Sequence, residues 1–269
     1  MEGFRYKFGF IGAGNMGFAI MKGLLKVFEP GQVTFYEKNV RRAEDVAART
    51  GAEPAKSGFD CASSSEYVIL AVKPQQLEGV VQEIRGGVSG RQVLVSIAPG
   101  ITIASLKGYF GEGCRVVRAM PNTPALVGEG MTGVCYDAGQ FSQEEQQTVQ
   151  AFFQSFGKMV LVEEKLINAV VCVSGSSPAY AYLFIEALAD SGVKYGLPRA
   201  MAYELAAQAL LGSAKMVLET GKHPGELKDQ VCSPGGTTIA AVAALEEAGL
   251  RNAVLKAGDA CYAKCGAIR

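Results

Sequence analysis

Two short stretches carry residue types whose spacing can do chemistry. The first is Gly12-Ala13-Gly14-Asn15-Met16-Gly17, a G-x-G-x-x-G that follows the strand-like run FGFI and opens an apolar, helix-periodic segment. In that setting Gly12 permits a tight turn, Gly14 lets a pyrophosphate approach the backbone, and Gly17 lets helix pack close to strand. The free N–H groups and positive dipole end of the helix then face the phosphates. A dinucleotide site is expected, with a glycine-rich turn that binds nothing as the alternative. The second stretch is Ser233-Pro234-Gly235-Gly236-Thr237-Thr238, uncharged and set between two helical patterns. It is either a plain turn or a binding loop made of backbone N–H groups and hydroxyls.

Other candidates cluster where strands end. Glu37 lies twenty residues after Gly17, where an acid binds the adenine ribose hydroxyls of NAD. Lys38, Asn39, Arg41 and Arg42 follow at once and suit the 2′-phosphate of NADP, so both cofactors stay open. Ala71-Val72-Lys73-Pro74 and Ile97-Ala98-Pro99 leave further strands at their carboxyl ends, where open α/β sheets bind ligands. Lys73 reads as a surface or cofactor-positioning lysine before a catalytic one. Asn122, between Pro121 and Pro124, is a candidate to point its amide into the same crevice. His223 is the one histidine, and its place before Pro224 reads as a surface residue or a local cap. The seven cysteines include no CxxC pair, and they read as ordinary thiols rather than zinc ligands or disulfides.

These groups need a scaffold, and the pattern supplies one. Strand-like runs at Lys7–Ile11, Val33–Glu37, Tyr67–Val72, Gln92–Ile97, Arg115–Ala119, Gly133–Tyr136 and Lys158–Val162 alternate with helical patterns at Asn15–Val27, Val40–Thr50, Gln75–Ile84 and Ser142–Phe156. Such alternation predicts an α/β fold, a doubly wound, mostly parallel sheet of Rossmann type. After about Glu164 the strands stop and Ala-, Gly- and Ser-rich helices follow. The expected domains are 1–164, binding NAD(P), and 165–269, all helical. The run ELAAQALLGSAKMVLE is apolar over so broad an arc that burial against a second subunit, a twofold homodimer, is expected.

The totals exclude whole classes. Lys plus Arg equals Asp plus Glu at 26 each, which argues against a general nucleic-acid or membrane-surface binder. The opening MEGFRYKFGFIGAGNMG runs directly into a strand pattern, and no apolar run escapes interruption by polar or Gly residues. A cytoplasmic protein with neither signal peptide nor membrane span is expected.

SGSSPAYAYLFIEALADSGVKYGLPRAMA, AAQALLGSAKMV and HPGELKDQVCSPGGTTIAA, with GFIGAGNMG, LAVKPQ and MPNTP, closely resemble the pyrroline-5-carboxylate reductases. The likeness covers nearly the whole chain. It implies NAD(P)H-dependent reduction of 1-pyrroline-5-carboxylate to L-proline, the last step of proline biosynthesis, by hydride transfer to the cyclic imine carbon. It implies a substrate loop of Ser233, Gly235, Gly236, Thr237 and Thr238, with the helix start holding the carboxylate and Thr238 bonding the ring nitrogen as the catalytic contact. Ser176 or Ser177 is implied as polar lining. Cofactor contacts carry over to Ile11, Gly12, Ala13, Gly14, Asn15, Met16, Ala71, Val72, Lys73, Pro74, Ile97, Ala98 and Pro99, beside Glu37 and Lys38. No metal is required, because a protonated imine is already an electrophile. Gly58 departs from the family, where an Asn near the adenine ribose is common, and Gln230 replaces an Asn sometimes seen there. FIGAGNMG is also similar to the β-hydroxyacid dehydrogenases, but the lysines after Glu164 do not show their pattern. A non-catalytic NAD(P)-binding sensor is the other alternative.

Overall fold

The apolar runs of the first half become strands buried on both faces. In a computed structural model describing residues 3–266, Tyr6–Ile11 (β1), Val33–Tyr36 (β2), Glu53–Pro54 (β3), Ser65–Leu70 (β4), Val93–Ser96 (β5), Arg115–Met120 (β6), Gly130–Cys135 (β7) and Gly157–Leu161 (β8) form one sheet. Its order is β3-β2-β1-β4-β5-β6-β7-β8, and only the β6–β7 pair is antiparallel. Successive side chains alternate between two cores, as a strand's period of two demands. Tyr67 and Ile69 join Phe8, Phe10 and Phe152 on one side; Val68 and Leu70 join Leu77, Val81 and Leu94 on the other.

Helices cover the two faces: Asn15–Leu24 (α1), Val40–Thr50 (α2), Gly58–Ser63 (α3), Pro74–Ile84 (α4), Ile103–Phe110 (α5) and Gln143–Gln154 (α6). Ser142 caps α6 in a full capping box with Glu145, as the SQEE pattern predicts. The sequence reading omits β3, α3 and α5. These elements are two, six and eight residues long, too short to display a period. The helical stretch expected after Glu164 opens as a 3₁₀ turn at Glu164–Leu166, a short helix Ile167–Val170 (α7) and a wide π turn at Val171–Gly175.

The chain divides into two compact units: Met1–Ser176 with the chain end from Cys261, and Ser177–Ala260. The second contains Ser177–Lys194 (α8), Arg199–Thr220 (α9), Pro224–Val231 (α10), Thr237–Glu247 (α11) and most of Leu250–Gly266 (α12). Small side chains set its packing. Ala189 of α8 meets Ala202 and Ala206 of α9, and Arg199 pairs with Asp190 across the turn. Large apolar side chains such as Leu183, Leu205, Leu211, Leu218 and Leu255 remain more than half exposed. The helical run Glu164–Lys194 reaches the length and apolarity of a membrane-crossing helix, with mean hydropathy 1.2. It does so because helix continues through Gly175 and its flanking serines, the interruptions that make the bare sequence read otherwise.

Candidate cofactor cleft and substrate loop

At the carboxyl ends of β1, β2 and β4 the strand order reverses, which is where a doubly wound sheet opens a crevice. The turn leaving β1 is built by its glycines. Gly12 sits at φ 96°, its N–H donates to the Tyr36 carbonyl at 2.8 Å, and a Cβ there would lie 2.7 Å from the Ala71 carbonyl oxygen. Gly14 is the N-cap of α1, no side chain caps that helix, and the space where a Cβ would point is open. Bare N–H groups beside open space are the cradle a pyrophosphate requires, so these residues fit an NAD(P) cofactor.

The cleft measures about 430 Å³. Ile11, Gly12, Gly14, Glu37, Lys38, Ala71, Val72 and Lys73 line it, as expected of a cofactor site. Ala13 lies in the turn itself, Asn15 and Met16 open α1, and Pro74 is the first residue of α4. Ile97 and Ala98 are buried beside the strand tips, where the Ile97 N–H donates to the Leu70 carbonyl at 3.3 Å, and Pro99 follows them. Sequence reasoning did not include Tyr36, Gln76, Val80 and Glu83, which also line the cleft. The last three lie along α4, and only the folded helix brings them to the crevice.

The charges near the tip of β2 are already engaged. Glu37 accepts the Ala13 N–H and the Asn39 N–H, both at 3.0 Å. Arg42 donates from Nε to the Ala13 carbonyl at 2.7 Å and from Nη2 to Asn15 Oδ1 at 3.2 Å. Asn39 caps α2 by accepting the Arg42 N–H. Two residues read as phosphate candidates therefore brace the turn. Burial, with the nearby Glu83 and Glu37 carboxylates, pushes the Tyr36 hydroxyl above its ordinary pKa.

Ser233–Thr238 belongs to the second unit. Pro234 and Gly235 make a turn in which the Gly236 N–H donates to the Ser233 carbonyl at 3.0 Å. Gly235 sits at φ 67°, the left-handed region that favours glycine, and a Cβ on Gly236 would lie 2.4 Å from Ser233 Oγ, which would have to turn away. Gly236 is the N-cap of α11 and no side chain caps it, which leaves the first N–H groups of an eleven-residue helix bare. Thr237 is exposed and Thr238 half-buried on the first turn, and the Thr238 hydroxyl has no partner among the described residues.

Three further residues find definite partners. The Ser176 hydroxyl lies 3.2 Å from Cys261 Sγ, and its N–H closes the π turn on the Val171 carbonyl at 2.8 Å. The Asn122 amide does not enter the crevice. It donates to the Ser174 carbonyl at 3.0 Å and accepts the Met131 N–H at 2.9 Å, satisfying two part-buried backbone groups. His223 caps α10, its Nδ1 accepting the Gly225 N–H at 3.0 Å.

Residues 164–268 match the family described as pyrroline-5-carboxylate reductase dimerisation. Residues 7–100 match the family described as NADP oxidoreductase coenzyme F420-dependent. The chain is 47% identical over 260 residues to the pyrroline-5-carboxylate reductase of Escherichia coli K12, covering 96% of each. It is 42% identical to that of Arabidopsis thaliana, covering 94% of this chain and 91% of the other. Its fold is similar to the Plasmodium falciparum pyrroline carboxylate reductase with NADP bound, with TM-score 0.88, 31% identity and 99% of each chain covered. The Streptococcus pyogenes 1-pyrroline-5-carboxylate reductase gives TM-score 0.86 at 36% identity, covering 97% of this chain and 98% of the other.

Proposed function

This chain belongs to the pyrroline-5-carboxylate reductase family, and from that premise we propose that it reduces 1-pyrroline-5-carboxylate to L-proline with NAD(P)H, the last step of proline biosynthesis. The observation that carries the reading is the bare start of α11 behind an uncharged loop. A helix N-terminus with free N–H groups suits the substrate carboxylate without a charged side chain. In this reading Ser233, Gly235, Gly236 and Thr237 hold the carboxylate, and Thr238 fixes the ring nitrogen through its hydroxyl. Ser176 adds a polar contact. Residues 165–269 form the pairing and substrate-binding part, and residues 1–164 the cofactor part.

The uncapped first turn of α1 suits the pyrophosphate, and Glu37 and Lys38 flank the adenine ribose. Ala71, Val72, Lys73 and Pro74 form one wall, with Ile97, Ala98 and Pro99 beyond it. The reduced nicotinamide, when bound, supplies the hydride that the imine carbon accepts. The protein's own task is orientation and charge placement. It holds a substrate whose protonated C=N bond is already electrophilic, and no side chain need remove a proton.

The half-exposed leucines of α8, α9 and α12 support a homodimer paired through the helical unit. The same role accounts for the apolarity of the run through α8, so no membrane contact is proposed, and the enzyme works in the cytoplasm. The test is direct. Purified protein is mixed with 1-pyrroline-5-carboxylate and either reduced cofactor, and loss of nicotinamide absorbance is followed. Proline must accumulate with it. Cofactor binding without turnover on the imine, or turnover on hydroxy acids instead, would overturn the proposal.

A further inference from the structure

We infer that Glu83, seated on Gly58, makes the adenosine end of the cleft select NADH over NADPH. This deepens the cofactor reading above and rests on it. Two carboxylates, Glu37 and Glu83, line this end. They are 46 residues apart in sequence and come from the tip of β2 and the end of α4.

Glu83 is held rather than free. Its Oε1 accepts the Gly58 N–H at 2.8 Å. A Cβ at position 58 would lie 2.6 Å from that oxygen and 2.9 Å from the carboxyl carbon. The glycine therefore leaves a seat that the Glu83 carboxylate takes. A residue with a side chain at 58 would displace the acid and put its own group there.

Two of the cations near the cleft are engaged or distant. Arg42 is spent on the Ala13 carbonyl and the Asn15 side chain. Lys73 stands before the first residue of α4 and Glu83 near its last, a separation of about 15 Å along the helix at 1.5 Å per residue. Lys38, from the β2 tip, lines the cleft together with the two acids. A ribose 2′-phosphate adds between about −1.5 and −2 of charge at neutral pH, and meets repulsion there. A ribose diol donates hydrogen bonds to the same carboxylates.

The test is equilibrium binding of NADH and NADPH to the full-length protein by nicotinamide fluorescence, in the wild type and Glu83→Gln. Glutamine keeps an acceptor for the Gly58 N–H, and a melting curve checks that the variant folds. The wild type is expected to bind NADH at least tenfold more tightly than NADPH. Glu83→Gln is expected to tighten NADPH about three- to tenfold and to weaken NADH several-fold, since the amide is a poorer acceptor for the diol than the carboxylate. Equal or tighter NADPH binding by the wild type overturns the inference, as does a variant that shifts both cofactors by one factor. Failure to bind either cofactor overturns the cofactor reading itself, a distinct result.

Discussion

Gly17 of α1 lies so close to Gly12 that a Cβ added to it would sit 2.5 Å from the Gly12 carbonyl oxygen and 3.2 Å from the Ala71 side chain. Backbone cannot yield as a flexible side chain can. Gly17→Ala is therefore expected to lower unfolding free energy by about 1–3 kcal/mol, read from urea denaturation, and to weaken cofactor binding with it. Gly14→Val is the contrast, because the space at Gly14 is open. It should stay folded to within about 1 kcal/mol and still lose cofactor, because the added methyls fill the place of the pyrophosphate. Retained affinity in Gly14→Val would contradict the phosphate assignment.

Thr238→Ala should lower turnover by about 10- to 100-fold while cofactor affinity stays within about twofold, since the change removes one oriented hydroxyl. Thr238→Ser restores the hydroxyl and should recover most of the rate. Steady-state turnover on the imine, beside fluorescence titration of the cofactor, separates the two effects. An unchanged rate in Thr238→Ala removes this residue from the mechanism.

The buried amide of Asn122 joins the end of β6 to the π turn and to the start of β7. Asn122→Ala leaves the Ser174 carbonyl and the Met131 N–H without that partner. Denaturation should show a loss of about 2–3 kcal/mol. A stability equal to wild type would show that these contacts hold nothing.

Acid should weaken the sheet's lower end through Glu145. Burial by itself raises this carboxyl, but the Ser142 N–H and the Arg115 guanidinium override it and hold it below the ordinary value of 4.5. A carboxyl with a lowered folded pKa contributes stability above its unfolded value, and that contribution disappears as pH falls through the folded one. Unfolding free energy of wild type and Glu145→Gln, measured against pH, should differ at neutrality and converge below 4.5. A difference that does not depend on pH would place the effect in packing instead.

How much of this was legible in the sequence varies with how local each requirement is. The glycine turn could be read because three constraints fall within six residues, and the structure places a carbonyl against each of two glycines. The mostly parallel character of the sheet followed from alternation of strand and helix, and its order is read from the structure. Ser233–Thr238 was ambiguous as composition and became a candidate site only through family likeness, because bare helix N–H groups have no residue signature. Glu83 was missed because its role depends on α4 spanning the crevice and on an empty position at Gly58. The π turn was missed because its Ser176-to-Val171 bond leaves the spacing of apolar residues unchanged. The bonds of Arg42 to the Ala13 carbonyl and Asn15 were not legible because a guanidinium near a phosphate site is equally suited to holding the loop that forms it.

The start of α11 has one more consequence. Peptide N–H groups and hydroxyls carry no charge that neutral or mildly acidic buffer can change. An anchor made of them exerts the same field at every pH at which the fold survives. In the proposed role, the midpoint of the rate against pH belongs to the ring nitrogen of the substrate itself. Substitutions in Ser233–Thr238 should then change the height of that curve and leave its midpoint in place.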